Sequence, residues 1–286
     1  VAGVSANLPQ PNRRPAATIR LIISDIDGTL LDRYGDLPPG NAGALAEALG
    51  CGVRLVLATV RKLDAATSIA RRLGLTCALV CQGGATIYDE RGALLRASAI
   101  PIDLARAIAA LADEQQLPLL TTIDEINYYM PGSQPPAHID TAGIDISSSR
   151  AILSRSPTRF IVRGELGVNL LMKTFAAAPL RIVRHYRDDG TLYDAAITHA
   201  DATKEIALDF LCRRWDIAPA AVLAIGDAEA DIGMIRMAGV GVGVGNAQQI
   251  VKDAADWIAP SAGDAGVAVA VRRFVLNDAK REALNR

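Results

Sequence analysis

Apolar and polar positions alternate along this chain in two rhythms. Unbroken apolar runs occur at 19–24 (IRLIIS), 53–58 (VRLVLA), 77–81 (CALVC), 221–225 (AVLAI) and 239–244 (GVGVGV). Runs of this length without polar alternation predict strands buried on both faces, as in a parallel sheet. Between them apolar residues recur at helical spacing over 40–49, opened by Pro38 and Pro39, over 63–73, and over 202–215, where Ile206, Leu208, Phe210, Leu211 and Trp215 form a sheet-packing face. The β-α-β order predicts an α/β fold with a Rossmann-like, doubly wound parallel sheet.

The rhythm breaks between about 86 and 198. This stretch reads as a hairpin (ATIYDERGALLRA), a helix at 101–115, strands near 117–122 and 126–130, a Pro/Gly/Ser-rich loop at 131–149, then strand, helix and strand at 159–163, 165–177 and 180–186. One crossover does not need so much chain. The expected organisation is a flexible N-terminal tail at 1–17, a core domain built from 18–96 and 188–286, and an inserted α/β domain at 97–187.

Composition narrows the classes. Half of the 286 residues are apolar but only 4% are aromatic, and the formal charge is −1. No basic field exists to draw nucleic acid or anionic lipid. The start, VAGVSANLPQPNRRPAA, lacks the continuous apolar core of a signal peptide, and no run approaches the roughly 20 apolar residues of a membrane helix. A cytoplasmic protein is expected, with Cys51, Cys77, Cys81 and Cys212 as reduced core thiols.

The chemistry sits where the strands end. Asp25 and Asp27 end the first predicted strand, Thr59 the second, Gly83 and Gly84 the third, and Asp227 the fourth, with Asp231 four residues later. Ligands of open α/β sheets bind at the carboxyl ends of strands. Carboxylates converging there repel one another and raise one another's pKa unless a cation is present. Oxygen-only ligation favours Mg²⁺ over zinc, since none of His138, His185 and His199 is paired with a cysteine at zinc spacing. On an extended strand Asp25 and Asp27 point the same way while Ile26 points into the core. One of the pair can then attack phosphorus while the other moves protons. Thr59 offers a hydroxyl to a phosphate oxygen and Lys204 a counter-charge. The glycines of 239–246 read as a strand and tight turn rather than a dinucleotide fingerprint, which needs G-x-G-x-x-G after a first strand; Asn246 is a further candidate beside the metal-site loop.

DIDGTL at 25–30, ATVR at 58–61, Lys204 in ADATKEIAL, GDAEAD at 226–231 and GVGVGNA at 241–247 resemble the haloacid dehalogenase-like phosphohydrolases, especially their Cof-type sugar-phosphatase branch. The resemblance implies a Rossmann-like core with a C2-type cap, Mg²⁺, and hydrolysis of a small phosphorylated metabolite through an aspartyl-phosphate. It implies Asp25 as nucleophile, Asp27 as general acid/base, and Thr59 and Lys204 as phosphate binders. Asp25, Asp27 (by its main-chain carbonyl) and Asp227 would hold the metal, with Asp231 supporting them from behind. Three positions depart from the family pattern: Val60 stands for the usual Gly, Gly83 for Asn and Ala230 for Asn. A phosphotransferase or phosphomutase using the same intermediate, and a non-catalytic binder of phosphorylated ligands, are the alternatives.

Overall fold

The computed structural model describes residues 17–134, 142–187 and 189–277; the predicted tail at 1–17, apart from its last residue, and His138 lie outside them. Among the described residues the strands are β1 Leu21–Asp25, β2 Arg54–Ala58, β3 Ala78–Cys81, β4 Thr86–Tyr88, β5 Leu94–Ala97, β6 Leu119–Ile123, β7 Ile126–Tyr129, β8 Gly143–Asp145, β9 Arg159–Arg163, β10 Leu180–Tyr186, β11 Leu192–His199, β12 Val222–Gly226, β13 Val240–Gly243 and β14 Trp257–Ile258. The helices are α1 Asn41–Gly50, α2 Leu63–Leu73, α3 Ile102–Glu114, α4 Glu165–Thr174, α5 Lys204–Trp215, α6 Ile232–Met237, α7 Gln249–Ala254 and α8 Gly266–Val271. One sheet has the order β14-β13-β12-β1-β2-β3-β4-β5 and the other β10-β11-β9-β6-β7-β8. The chain divides into two compact units, Val1–Thr59 with Ala66–Leu79 and Lys204–Arg286, and Val60–Ala65 with Val80–Thr203.

In the first unit β1 pairs in parallel with β2 and β12, and β13 with β12 and β14. Leu21, Ile22 and Ile23 are at most 1% exposed, so both faces of β1 are covered and the unbroken apolar run follows from that. The glycine alternation of β13 has a packing cause. A Cβ at Gly241 would lie 2.4 Å from the Ile235 carbonyl of α6, so only a bare backbone admits the helix. Asn41, fully buried, ties the Leu30 carbonyl to the Ala268 amide of α8 at 3.0 Å each, holding the loop after β1 in place. Of the four thiols, Cys77, Cys81 and Cys212 are buried as expected, whereas Cys51 caps α1 and is exposed, a correction to its reading as a core residue.

The second unit packs α3 and α4 against one face of the six-stranded sheet. Phe160, Val162, Ala195 and Ile197 face this core with Ile108, Leu119 and Leu171. β9 alternates strictly, Phe160 and Val162 buried and Arg159, Ile161 and Arg163 partly exposed. Two elements were not anticipated: β8, inside the predicted 131–149 loop, and β11, which pairs antiparallel with both β10 and β9. The β6–β7 hairpin turns on Asp124 and Glu125, both at positive φ (48° and 65°), the backbone sign of a type I′ turn carried here without glycine. Hydrogen bonds offset that strain. The Glu125 carboxylate accepts from Gln82 Nε2 at 2.7 Å, Tyr88 Oη at 2.9 Å and the Leu63 amide at 3.1 Å, and its carbonyl accepts from Lys62 Nζ at 3.1 Å.

Candidate active site

β1 delivers Asp25 to the carboxyl edge of the parallel sheet and then stops. The Ile26 carbonyl accepts the amides of Leu30 and Leu31 at 3.0 and 2.9 Å, curling the chain into a loop. Strand alternation therefore ends at Asp25. Ile26 is buried as expected, but Asp27 lies past the strand and is exposed, placed by the loop rather than by the pleat.

Asp25, Asp227 and Asp231 form one acidic cluster, each contributing an oxygen within 4.8 Å of the others. Lys204, the first residue of α5 and 2% exposed, donates to Asp25 Oδ1 at 2.5 Å and to Asp231 Oδ1 at 2.7 Å. The other Asp231 oxygen accepts the amides of Asp227 and Ala228 at 3.0 Å each. Asp231 is thus wholly engaged in holding Lys204 and the loop after β12. Thr29 Oγ1 donates to Asp227 Oδ1 at 3.0 Å. Gly28 sits at φ 80°, and a Cβ there would lie 2.5 Å from Asp227 Oδ2, so this turn admits only glycine. Asn246 bridges the loops, donating to the Gly28 carbonyl at 2.7 Å and accepting from the Ala262 amide at 2.8 Å. Thr59 follows β2 and is fully buried.

Of the residues singled out from sequence, Asp25, Lys204, Asp227 and Asp231 meet in the cluster, and Asn246 reaches the loop that carries Asp27. Asp27 and Thr59 are not members of the cluster. Thr29 and Gly28 were passed over as site residues although both belong to the DIDGT motif; their signal was the need of a carboxylate for a nearby donor and a turn without a Cβ.

Three carboxylates face one ammonium here. Burial pushes the Asp25 carboxyl up to about 8; Lys204 opposes this and Asp231 adds to it. Burial also raises Asp227, with Asp231 reinforcing the shift. For Lys204 burial disfavours the charge, but Asp231 and Asp25 outweigh it and raise its pKa. Asp25 Oδ2 is buried and accepts no hydrogen bond. A buried carboxyl oxygen without a donor, in an oxygen-only set of three carboxyl groups around one ammonium, fits a hard divalent cation such as Mg²⁺. His185 and His199 are not part of the set; they contact Asp194 and the Asp201 amide.

Carboxylates and a buried lysine thus gather at the strand ends of a mainly parallel α/β sheet, the edge where such folds place their ligand sites. The chain belongs to the haloacid dehalogenase-like hydrolases, whose family model matches residues 22–271. This bears out the resemblance carried by the motifs. Among curated relatives, the 5-amino-6-(5-phospho-D-ribitylamino)uracil phosphatase YcsE of Bacillus subtilis is 28% identical over 268 residues, covering 92% of this chain and 99% of the relative. A phosphoglycolate phosphatase of Archaeoglobus fulgidus is 26% identical over 256 residues, covering 88% and 96%. The crystal structure of TM0651 from Thermotoga maritima shares the fold, with a TM-score of 0.78 at 20% identity, over 90% of this chain and 97% of that one.

Proposed function

We propose that the protein is a Mg²⁺-dependent phosphatase that hydrolyses a small phosphate monoester through an aspartyl-phosphate at Asp25. The observation that carries this reading is the state of Asp25: one oxygen held by a buried lysine, the other buried with no donor, at the end of a rigid strand. Such a carboxylate is fixed in orientation before substrate arrives. Its oxygen attacks phosphorus, the P–O bond to the leaving group breaks, and Asp27 gives its proton to the departing oxygen. Asp27, now a carboxylate, takes a proton from water, and the resulting hydroxide attacks the phosphoryl group to release phosphate and restore Asp25. Thr59 and Lys204 bind the phosphoryl oxygens, and the exposure of Asp27 suits a group that must reach both leaving group and water. Asp25, Asp227 and the Asp27 carbonyl would hold Mg²⁺, whose charge would offset the carboxylates and the phosphoryl group, while Asp231 and Thr29 keep Lys204 and Asp227 in place.

The activities named for the relatives favour esters of small polyols and acids. We take ribityl-type phosphates and phosphoglycolate as the first substrates to try, within a sugar-phosphate panel. The test is phosphate release from that panel with Mg²⁺ and with chelator, for wild type and Asp25→Asn. Release that needs metal and vanishes in the folded variant is expected, with phosphate formed in water alone separating hydrolysis from transfer to a sugar hydroxyl. A folded Asp25→Asn protein with full activity would remove Asp25 as nucleophile.

A further inference from the structure

Each of the four residues after Thr59 is tied by a hydrogen bond to a residue later in the chain. The Val60 carbonyl accepts from an Arg159 guanidinium N–H at 3.2 Å, and the Arg61 carbonyl accepts the Gln82 amide at 2.8 Å. Lys62 Nζ donates to the Glu125 carbonyl at 3.1 Å, and the Leu63 amide donates to Glu125 Oε2 at 3.1 Å. Val60–Ala65 and all of these partners belong to the second unit. Thr59 is thereby bracketed, since β2 ends one residue before it and the tied segment begins one residue after it.

Glu125 holds two of the four. Leu63 opens α2, so its amide is among the N–H groups that a helix leaves without an internal acceptor, and a carboxylate suits that end of the helix dipole. Lys62 is 8% exposed, and a lysine so buried needs a partner; its ammonium reaches the Glu125 carbonyl, with Asp64 3.8 Å away. Glu125 Oε1 serves the other side, accepting from Gln82 Nε2, Tyr88 Oη and Thr86 Oγ1. The Gln82 amide is held in that orientation by Thr158, whose hydroxyl donates to its Oε1 at 2.8 Å. A carboxylate accepts on both oxygens at once, whereas an amide accepts on one. The residue type at 125 thus follows from joining the start of α2 to Gln82 and β4.

We propose that Glu125 is a positioning residue for phosphoryl binding: it fixes the segment that follows Thr59, and through the chain it sets the place of the Thr59 hydroxyl. This rests on the phosphatase reading above, in which Thr59 binds a phosphoryl oxygen. A displacement of about 1 Å at such a group is enough to cost turnover heavily. Because every ester presents the same phosphoryl group, the effect of losing Glu125 does not depend on the leaving group.

The experiment is a double-mutant cycle of Glu125→Gln with Thr59→Val, read as kcat/KM for p-nitrophenyl phosphate and acetyl phosphate with Mg²⁺, beside urea unfolding of each protein. Glu125→Gln keeps the size of the side chain but accepts on one side only. It should lower kcat/KM about 10- to 100-fold, by the same factor for both esters, and weaken inhibition by inorganic phosphate in parallel. In the Thr59→Val protein the same change should cost less than about twofold, because the residue it acts through is already lost. A purely structural role would move the unfolding curve alone, or lower kcat/KM by a factor that multiplies with that of Thr59→Val; either result overturns the proposal. Lys62→Met, which removes the other tie to Glu125, takes the same criteria if Glu125→Gln does not fold. If wild type leaves both esters intact, the phosphatase reading fails for them and the cycle is read as calorimetric affinity for inorganic phosphate with Mg²⁺. Losses that do not add support the positioning role, whereas additive losses, or no phosphate binding by wild type, overturn it.

Discussion

The two polar regions solve opposite electrostatic problems. At the carboxyl edge of the parallel sheet, charges are buried and each is held by named partners: Lys204 by two carboxylates, Asp231 by the lysine and two amides, Asp227 by Thr29. On the helix-free face of the antiparallel sheet, Arg159 and Arg181 stand partly exposed, with Glu125 and Asp194 among the acids that act on Arg159. Burial makes the first arrangement all-or-none, because a charge deprived of its partner there cannot be rescued by water. Partial exposure makes the second adjustable, because solvent screens whatever is changed. Chemistry that must not vary belongs in the first setting.

The contrast is broken most severely at Lys204. Lys204→Met leaves Asp25 and Asp231 buried without their counter-charge and should cost about 3–5 kcal/mol in urea unfolding as well as abolishing turnover. Asp27→Asn should keep the wild-type unfolding curve, since Asp27 is exposed, yet lower kcat by about 10²–10⁴ in steady-state assays. Gly28→Ala forces a Cβ toward Asp227 at φ 80°; a loss of about 1–3 kcal/mol is expected from the backbone strain, together with weaker Mg²⁺-dependent thermal stabilisation. Glu125→Ala strips acceptors from Gln82, Tyr88 and the Leu63 amide and should cost about 1–3 kcal/mol by the same unfolding measurement. At the lenient end, Arg155→Ala removes an exposed ion pair with Asp124 and should change stability by no more than about 1 kcal/mol.

Much of the core was legible because its signals are local. β1, β2 and β12 are apolar runs, and the polar residues that end them, Asp25, Thr59 and Asp227, stand next to them in the chain. β11 escaped notice because LYDAAITH carries two alanines and a buried aspartate where a clear alternation would show; it is a strand by virtue of β9 and β10 beside it. β8 is more extreme, three exposed residues held by pairing with β7. In the site, Asp25, Asp227 and Lys204 could be placed from strand ends and motif order. The work of Thr29 and Asn246 could not, since their partners lie 198 and 218 residues away. Strand alternation could not relate Asp25 to Asp27 for a similar reason: it assumes a strand that continues, and the turn at Ile26 ends it.

The bond between Lys204 and Asp25 joins residues 179 positions apart. During synthesis, at about 5–20 residues per second, the Asp25 strand leaves the ribosome roughly 10–35 s before the lysine that neutralises it. For that interval the nascent first strand is an apolar segment ending in an unmatched acid, poorly suited to burial. The sheet cannot close around β1 before then in any case, because β12, its neighbour on the side away from β2, is made later still.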